Sequence, residues 1–364
     1  MMKIEEINVT AYTVPTDFPE SDGTLCWGQT TLVLVQARSG DTIGLGYTYA
    51  DLATAKIVRD SLAPVVVGLD AMSIPKAWQK MRAILRNQGC QGAGAMAVSA
   101  VDNALWDLKA RLCGLSLVEL LGACRKSLPI YGSGGFTSYT DDQLRKQFEQ
   151  WRDEGITRFK MKVGREPERD RHRVRVARET IGPEAELFVD ANSAYGRKQA
   201  LDAMECFSLE CDVRWMEQPL PPADRAGMRW LRERGPASME IADGEYGYDP
   251  AYFREMIEAE AVDVVMADAT RCCGISGLLK IAALCEAAQL PLSTHCAPLL
   301  HLHPGCALPP LRHAEYFHDH IRIERLFFQG FPKVTDSALA PDLSAPGIGV
   351  SFNSEIAERF RQNF

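Results

Sequence analysis

Six charged residues recur along the middle of this chain at nearly constant spacing. Lys162, Asp190, Glu217, Glu245, Asp268 and His295 are separated by 28, 27, 28, 23 and 27 residues. Each closes a short apolar run: Lys160-Met-Lys162, Asp190-Ala-Asn192, Glu217-Gln-Pro, Asp243-Gly-Glu245, Asp268 and His295, with Glu315 closing one more. Taken singly, Asp190 reads as a helix cap and His295 as a core histidine. Six groups at one height on successive elements read as a site. Asp190, Glu217 and Glu245 brought together unpaired would repel one another and lose hydration. A hard divalent cation resolves this, and Mg²⁺ completed by water and substrate suits an all-oxygen set best. Lysines on one side, and Asp268 with His295 on the other, could work on one carbon from either face. Asp243 is an alternative third ligand, and simple strand alternation points it the same way as Glu245.

Elements of matching period must hold these groups. From Pro129 onward, short apolar strands alternate with amphipathic helices, with strands expected near 129–134, 158–163, 186–191, 214–218, 239–244, 263–268, 291–295 and 313–317. Eight strand–helix units without long hairpins predict a parallel (β/α)8 TIM barrel, of roughly 250 residues, with its site at the C-terminal ends of the strands. Residues 1–128 read differently. Ile4, Ile7, Val9 and Ala11 alternate with polar residues, Thr31–Val35 is a second strand, and Val98, Val101, Leu105, Leu108 and Leu112 recur at helical spacing up to Gly114. This predicts an N-terminal α+β domain, with Pro15–Gly28 as a loop and a second candidate specificity segment at 47–52. Residues 331–364 are expected to be a tail that folds back onto that domain.

Lys-x-Lys, Val-Asp-Ala-Asn, Glu-Gln-Pro, Gly-Glu, Asp-Ala-x-Arg and Ser-x-His, in this order, resemble the mandelate racemase subgroup of the enolase superfamily. Ala100-Val-Asp-Asn-Ala-Leu-Trp-Asp-Leu-Lys109 and Leu120-Leu-Gly122 resemble its capping domain. The resemblance implies Mg²⁺ on Asp190, Glu217 and Glu245, and proton abstraction next to a substrate carboxylate. Lys162 would be one base, its pKa lowered by Lys160, and His295 the other, oriented by Asp268. Glu315 would donate a hydrogen bond to the enolate from a neutral or shared-proton state. The implied reaction is dehydration of a sugar-derived acid to a 2-keto-3-deoxy acid, with racemisation or epimerisation of a 2-hydroxy acid as the alternative. A Schiff-base aldolase would leave the carboxylates without a job, and a non-catalytic barrel would show a broken set. Asp268 stands where a lysine would point to muconate cycloisomerases, and Cys273 stands where the subgroup tends to have glycine. The resemblance also implies a homo-oligomer, from dimer to octamer.

Composition narrows the partners. A net charge of −8 and a pI near 5.5 argue against nucleic acid. The acidic start offers no signal-peptide core, and no apolar run reaches the ~18 residues of a membrane span. Eleven scattered cysteines without a Cys-x-x-Cys pair read as reduced thiols in a cytoplasmic enzyme acting on a small-molecule carboxylate. His301, His303, His313, His318 and His320 read as groups around the site or on the surface rather than as a second metal centre. Tyr246, Tyr248 and Arg271 are candidate pocket residues.

Overall fold

Alternating apolar residues at the start of the chain build an antiparallel sheet in the computed structural model, which describes residues 2–364. Its strands are β1 (Glu6–Ser21), β2 (Cys26–Ser39) and β3 (Thr42–Tyr49). The segment expected as a loop over 15–28 is largely strand. Pairing breaks between Pro15 and Glu20 and resumes at Glu20↔Trp27 and Ser21↔Cys26. A bulge absorbs the proline-bracketed residues Pro15–Pro19, so the hairpin runs on and turns only at Asp22–Leu25. Its tip therefore reaches out over the second domain.

Helix Ala93–Leu112 packs across this sheet. At Gly46 a Cβ would collide with the Ala104 backbone, which is why β3 can press directly on the helix. The polar residues of the Ala100–Lys109 stretch point to the other domain. Asp102 accepts from the Ser276 amide (2.8 Å) and hydroxyl (2.7 Å). Asn103 donates to the Ala269 carbonyl (3.0 Å) and accepts from the Ile275 amide (3.0 Å). These bonds satisfy the first amides of helix Gly274–Ala287, and so fix the loop between Asp268 and Gly274.

That loop belongs to a closed parallel barrel. Its strands are β4 (Leu128–Gly134), β5 (Arg158–Lys162), β6 (Glu186–Asp190), β7 (Val213–Glu217), β8 (Glu240–Asp243), β9 (Val264–Ala267), β10 (Leu292–Thr294) and β11 (Leu311–Phe317). They lie side by side in sequence order, and β11 pairs with β4 to close the ring. A helix follows each one. Tyr131, Phe188, Trp215, Ala242, Val264 and Met266 fill the barrel interior, an apolar floor beneath the strand ends. Registers Lys162↔Asp190 and Asp190↔Glu217 place three site residues at one height above that floor.

The tail turns back. Arg361–Gln362 adds a fourth strand beside β1, Ala338–Leu339 pairs antiparallel with β4, and the Ile348 amide donates to Asp107 (2.7 Å). No helix among the described residues is long and apolar enough to cross a membrane.

Candidate active site

Two-residue alternation puts Lys160 and Lys162 on the same face of β5, the interior one. Lys162 Nζ lies 2.6 Å from Asp190 Oδ2. Lys160 Nζ lies 2.6 Å from Glu217 Oε2, 2.7 Å from Glu315 Oε1 and 3.6 Å from Asp190 Oδ2. Both lysines are buried, but only Lys162 reaches the open cavity. The expectation of a lowered Lys162 pKa is corrected here. Burial, the largest influence, and Lys160 push it down, but Asp190 in direct contact, with Glu315 and Glu217 behind it, together outweigh them and hold the ammonium above its ordinary range.

The carboxylates crowd one side. Asp190 and Glu217 sit on adjacent strands, and burial together with Asp190 holds Glu217 well above the usual carboxylate range. Glu217 Oε1 is buried with no hydrogen-bond partner, as is Asn192 Oδ1. Glu245 joins from beyond the end of β8. Asp243 does not share its direction. Ala242 fills the barrel interior, so alternation turns Asp243 to the other face, where it accepts from Gln218 Nε2 (3.2 Å) and the Gly244 amide (2.7 Å). Gly244, at φ +139°, then breaks the strand and returns Glu245 to the site. Alternation alone could not foresee that reversal.

His295 closes the opposite side. Its Nδ1 lies 2.8 Å from Asp268 Oδ2 and its Nε2 2.8 Å from Glu245 Oε2. Burial would depress its pKa, but its neighbours raise it well above the ordinary histidine value. Burial also pushes the Cys296 thiol up to about 12, so the acidic partners Glu245 and Asp268 carry the effect on His295 at neutral pH. Asp268 in turn is held at about 2 against its own burial, chiefly by the His295 hydrogen bond. Cys296 and Ala297, which follow, are both left-handed (φ +51° and +41°). The Cys296 amide donates to Glu315 Oε2 (2.7 Å) and the Ala297 amide to His320 Nδ1 (3.2 Å), which offsets that strain.

Glu315 also departs from expectation. It accepts from Ser133 Oγ (2.6 Å) and pairs with Lys160, and that charge holds its carboxyl well below the ordinary range despite burial. It is an ionised acceptor, so the neutral-donor expectation does not hold in this arrangement.

Taken together, Asp190, Glu217, Glu245, Asp268 and Glu315 face Lys160, Lys162, Arg271 and His295. If all nine are charged, one negative charge remains uncompensated. That surplus, the unpartnered Glu217 oxygen and the all-oxygen set of Asp190, Glu217 and Glu245 fit a hard divalent cation. Ligand atoms of His295, Cys296 and Glu315 also gather within 4.8 Å. Their nitrogen and sulfur donors suit a softer ion, and Glu315 is committed to Lys160, so the carboxylate trio is the better Mg²⁺ site.

Above these groups opens a cavity of about 400 Å³, lined on the barrel side by Lys162, Asn192, Glu245, Arg271 and His295 among others. Tyr246 lines it, whereas Tyr248 is not part of its wall. The hairpin tip and the end of β3 supply the other wall, including Trp27, Thr30, Thr31 and Asp51. Thr30 and Thr31 were invisible as site residues because the sequence marks them only as strand. His320 belongs to the site rather than the surface. Its ring stacks on Tyr49 with centroids 3.4 Å apart, and its Nδ1 accepts a backbone amide, which leaves an Nε2–H to donate. His301 and His303 also accept backbone amides, from Ala269 (2.8 Å) and Val118 (3.3 Å), and His313 meets Ser293 Oγ (2.9 Å). These three are buried structural groups. His318 lies 3.4 Å from Asp17 at the cap–barrel seam.

A capped parallel barrel that sets a lysine and a histidine–aspartate pair on either side of a carboxylate trio defines an enolase-type enzyme. The chain belongs to the mandelate racemase/muconate lactonizing enzyme family: residues 6–122 match that family's N-terminal domain, and residues 143–356 match the enolase C-terminal domain-like profile. It is 33% identical over 335 residues to an L-talarate/galactarate dehydratase of Salmonella typhimurium, covering 86% of this chain and 81% of the relative. The crystal structure of a mandelate racemase/muconate lactonizing enzyme-like protein from Rubrobacter xylanophilus superposes with a TM-score of 0.97 at 49% identity, covering 99% of this chain and 100% of that one. A racemase from Streptomyces coelicolor A3(2), solved with bound magnesium, gives 0.93 at 29% identity, with 99% and 100% covered.

Proposed function

We propose that this protein dehydrates a sugar-derived acid to its 2-keto-3-deoxy acid by abstracting the proton next to the carboxylate. One observation carries the reading. Lys162 on β5 and His295 after β10 approach the cavity from well-separated strands of the ring, with the carboxylate trio near both. Asp190, Glu217 and Glu245 would hold Mg²⁺. When bound, Mg²⁺ would take over the charge compensation that Lys160, Lys162 and His295 now provide, and would withdraw charge from the substrate carboxylate. Lys162 takes the α-proton as its amine. Lys160, shut off from the cavity, keeps positive charge beneath the developing anion, with Glu315 holding it there. His295 donates its Nε2 proton to the departing β-hydroxyl, and Asp268 holds the ring through Nδ1 throughout. Loss of water leaves an enol that tautomerises to the 2-keto acid. The dehydratase relative supports this over racemisation, which the same two groups could perform if both reached one carbon.

The test is a panel of sugar acids with Mg²⁺ in D₂O, followed by NMR for α-deuterium and by carbonyl trapping for keto acid. Exchange without elimination would favour racemisation; neither exchange nor keto acid from any member would overturn the proposal. Lys162→Ala and His295→Asn should fail differently, one losing α-exchange and the other losing elimination. Wild-type exchange in both would mean these are not the bases.

We also read the protein as a cytoplasmic homo-oligomer. Its eleven free cysteines support a reducing compartment. Sedimentation showing only a 40.3 kDa species would refute the oligomer.

A further inference from the structure

The two walls of the cavity differ in charge. The barrel wall carries Lys162, Arg271 and His295, while the cap wall, among its lining residues, carries Asp22, Trp27, Gln29, Thr30, Thr31 and Asp51 and no lysine or arginine. Neither acid on the cap side is neutralised by a salt bridge among the described residues. Asp22 Oδ1 receives the Thr24 (2.7 Å) and Leu25 (2.6 Å) amides, and Asp51 Oδ1 receives the Ala53 amide (2.9 Å). These bonds pin both side chains at the rim of the hairpin tip and of β3. Recognition of a carboxylate calls for cationic or amide donors aimed at it. The cap wall instead presents two carboxylates and two hydroxyls, with Gln29 as its one amide and no cation.

A second observation calls for a hydroxyl on the substrate. Asn192 lines the cavity beside Lys162, is 6% exposed, and its Oδ1 has no hydrogen-bond partner. A buried acceptor without a partner costs free energy until a donor arrives. A hydroxyl can donate to it, and a carboxylate cannot. Gln29 and the neutral Nε2–H of His320 add an amide and a donor suited to a polyol.

We propose that the substrate is a monocarboxylate, an acid sugar of the aldonate type, whose carboxylate lies against the barrel wall and whose far end is an uncharged polyol under the cap; diacids of the aldarate type are excluded. This rests on the proposed α-proton chemistry for which end enters first. It also separates this chain from its talarate/galactarate dehydratase relative, for which Asp22 and Asp51 would be the wrong charges. At a separation of about 8 Å and an effective dielectric of about 20, one facing carboxylate lowers a diacid's affinity by at most about 30-fold, and salt screening at the exposed Asp51 brings this to several-fold.

The experiment measures binding of six-carbon aldonates and of the aldarates of matching configuration to the intact Mg²⁺-loaded protein by calorimetry, with α-exchange in D₂O run in parallel. The aldonate of the best pair should bind several-fold to about 30-fold more tightly than its diacid. Asp51→Lys should narrow that gap several-fold, and Asp22→Lys serves as the second variant should loss of the Asp51 helix cap disturb folding. Diacids binding as tightly as monoacids, or a gap unchanged in both variants, would overturn the inference. So would failure of every member of both sets to bind. Preference for the monoacid without α-exchange would leave the inference standing and overturn the proposed reaction instead.

Discussion

Replacing Glu20 by glutamine should stabilise this protein, and more so at alkaline pH. Glu20 ends the bulged part of β1 and is fully buried, with Oε2 accepting from Trp27 Nε1 (2.9 Å) and Oε1 unpartnered. Burial first, and Asp319 next, push its carboxyl up to about 9, against the pull of Trp27 and Arg322; Asp17 adds a further upward push. A carboxyl whose pKa is raised by folding stays protonated in the native state while the unfolded chain ionises near 4.5. Its contribution is therefore intact below that value and lost progressively as pH rises towards 9. At about 1.4 kcal/mol per unit, the loss between pH 5 and pH 8 comes to about 4 kcal/mol. Glutamine is neutral at every pH, keeps an oxygen for Trp27, and offers Asp319 a donor. Equilibrium urea unfolding of both proteins should thus give near-equal stability at pH 5 and a more stable variant at pH 8. A stability difference independent of pH, or a variant less stable at pH 8, would refute the reasoning. The outcome also bears on function, because Trp27 lines the cavity and Glu20 holds its indole.

Mg²⁺ should raise the apparent melting temperature of the wild type by binding the native state alone, and EDTA should abolish activity. Glu217→Gln, which removes one ligand charge at constant volume, should lose most of that shift; an unchanged shift would place the metal elsewhere. Asp268→Asn should lower kcat by about 10- to 100-fold, because His295 loses the partner that fixes its Nδ1 proton; steady-state kinetics with unchanged kcat would make the pair structural. Asn103→Ala should destabilise by about 1–3 kcal/mol, since it orphans the Ala269 carbonyl and the Ile275 amide in a buried seam. A change below a few tenths in urea unfolding would show that the seam is not tightly docked.

Spacing alone located the barrel and the heights of Lys162, Asp190, Glu217, Asp268 and His295, because each βα unit consumes a nearly constant length of chain and each parallel strand reads as a short apolar run. Alternation also placed Lys160 with Lys162, since the pleat admits no other answer within one strand. The same rule misjudged Asp243, because a single left-handed glycine resets the direction of whatever follows. Charge states were beyond the sequence altogether. Whether Asp190 or Lys160 governs Lys162, and whether Glu315 is neutral or ionised, depends on separations of 2.6 to 3.6 Å between residues far apart in the chain. The cavity's outer wall was legible only in part. The 15–28 and 47–52 segments expected to set specificity do supply Asp22, Trp27 and Asp51, whereas Thr30 and Thr31 carry no chemical signature of their own and become part of a site only because the bulged hairpin ends above the barrel mouth. The repeat and the pleat are local periodicities, written into the order of residues. Electrostatics and the composite wall arise only where distant segments meet, so tertiary packing alone decided them.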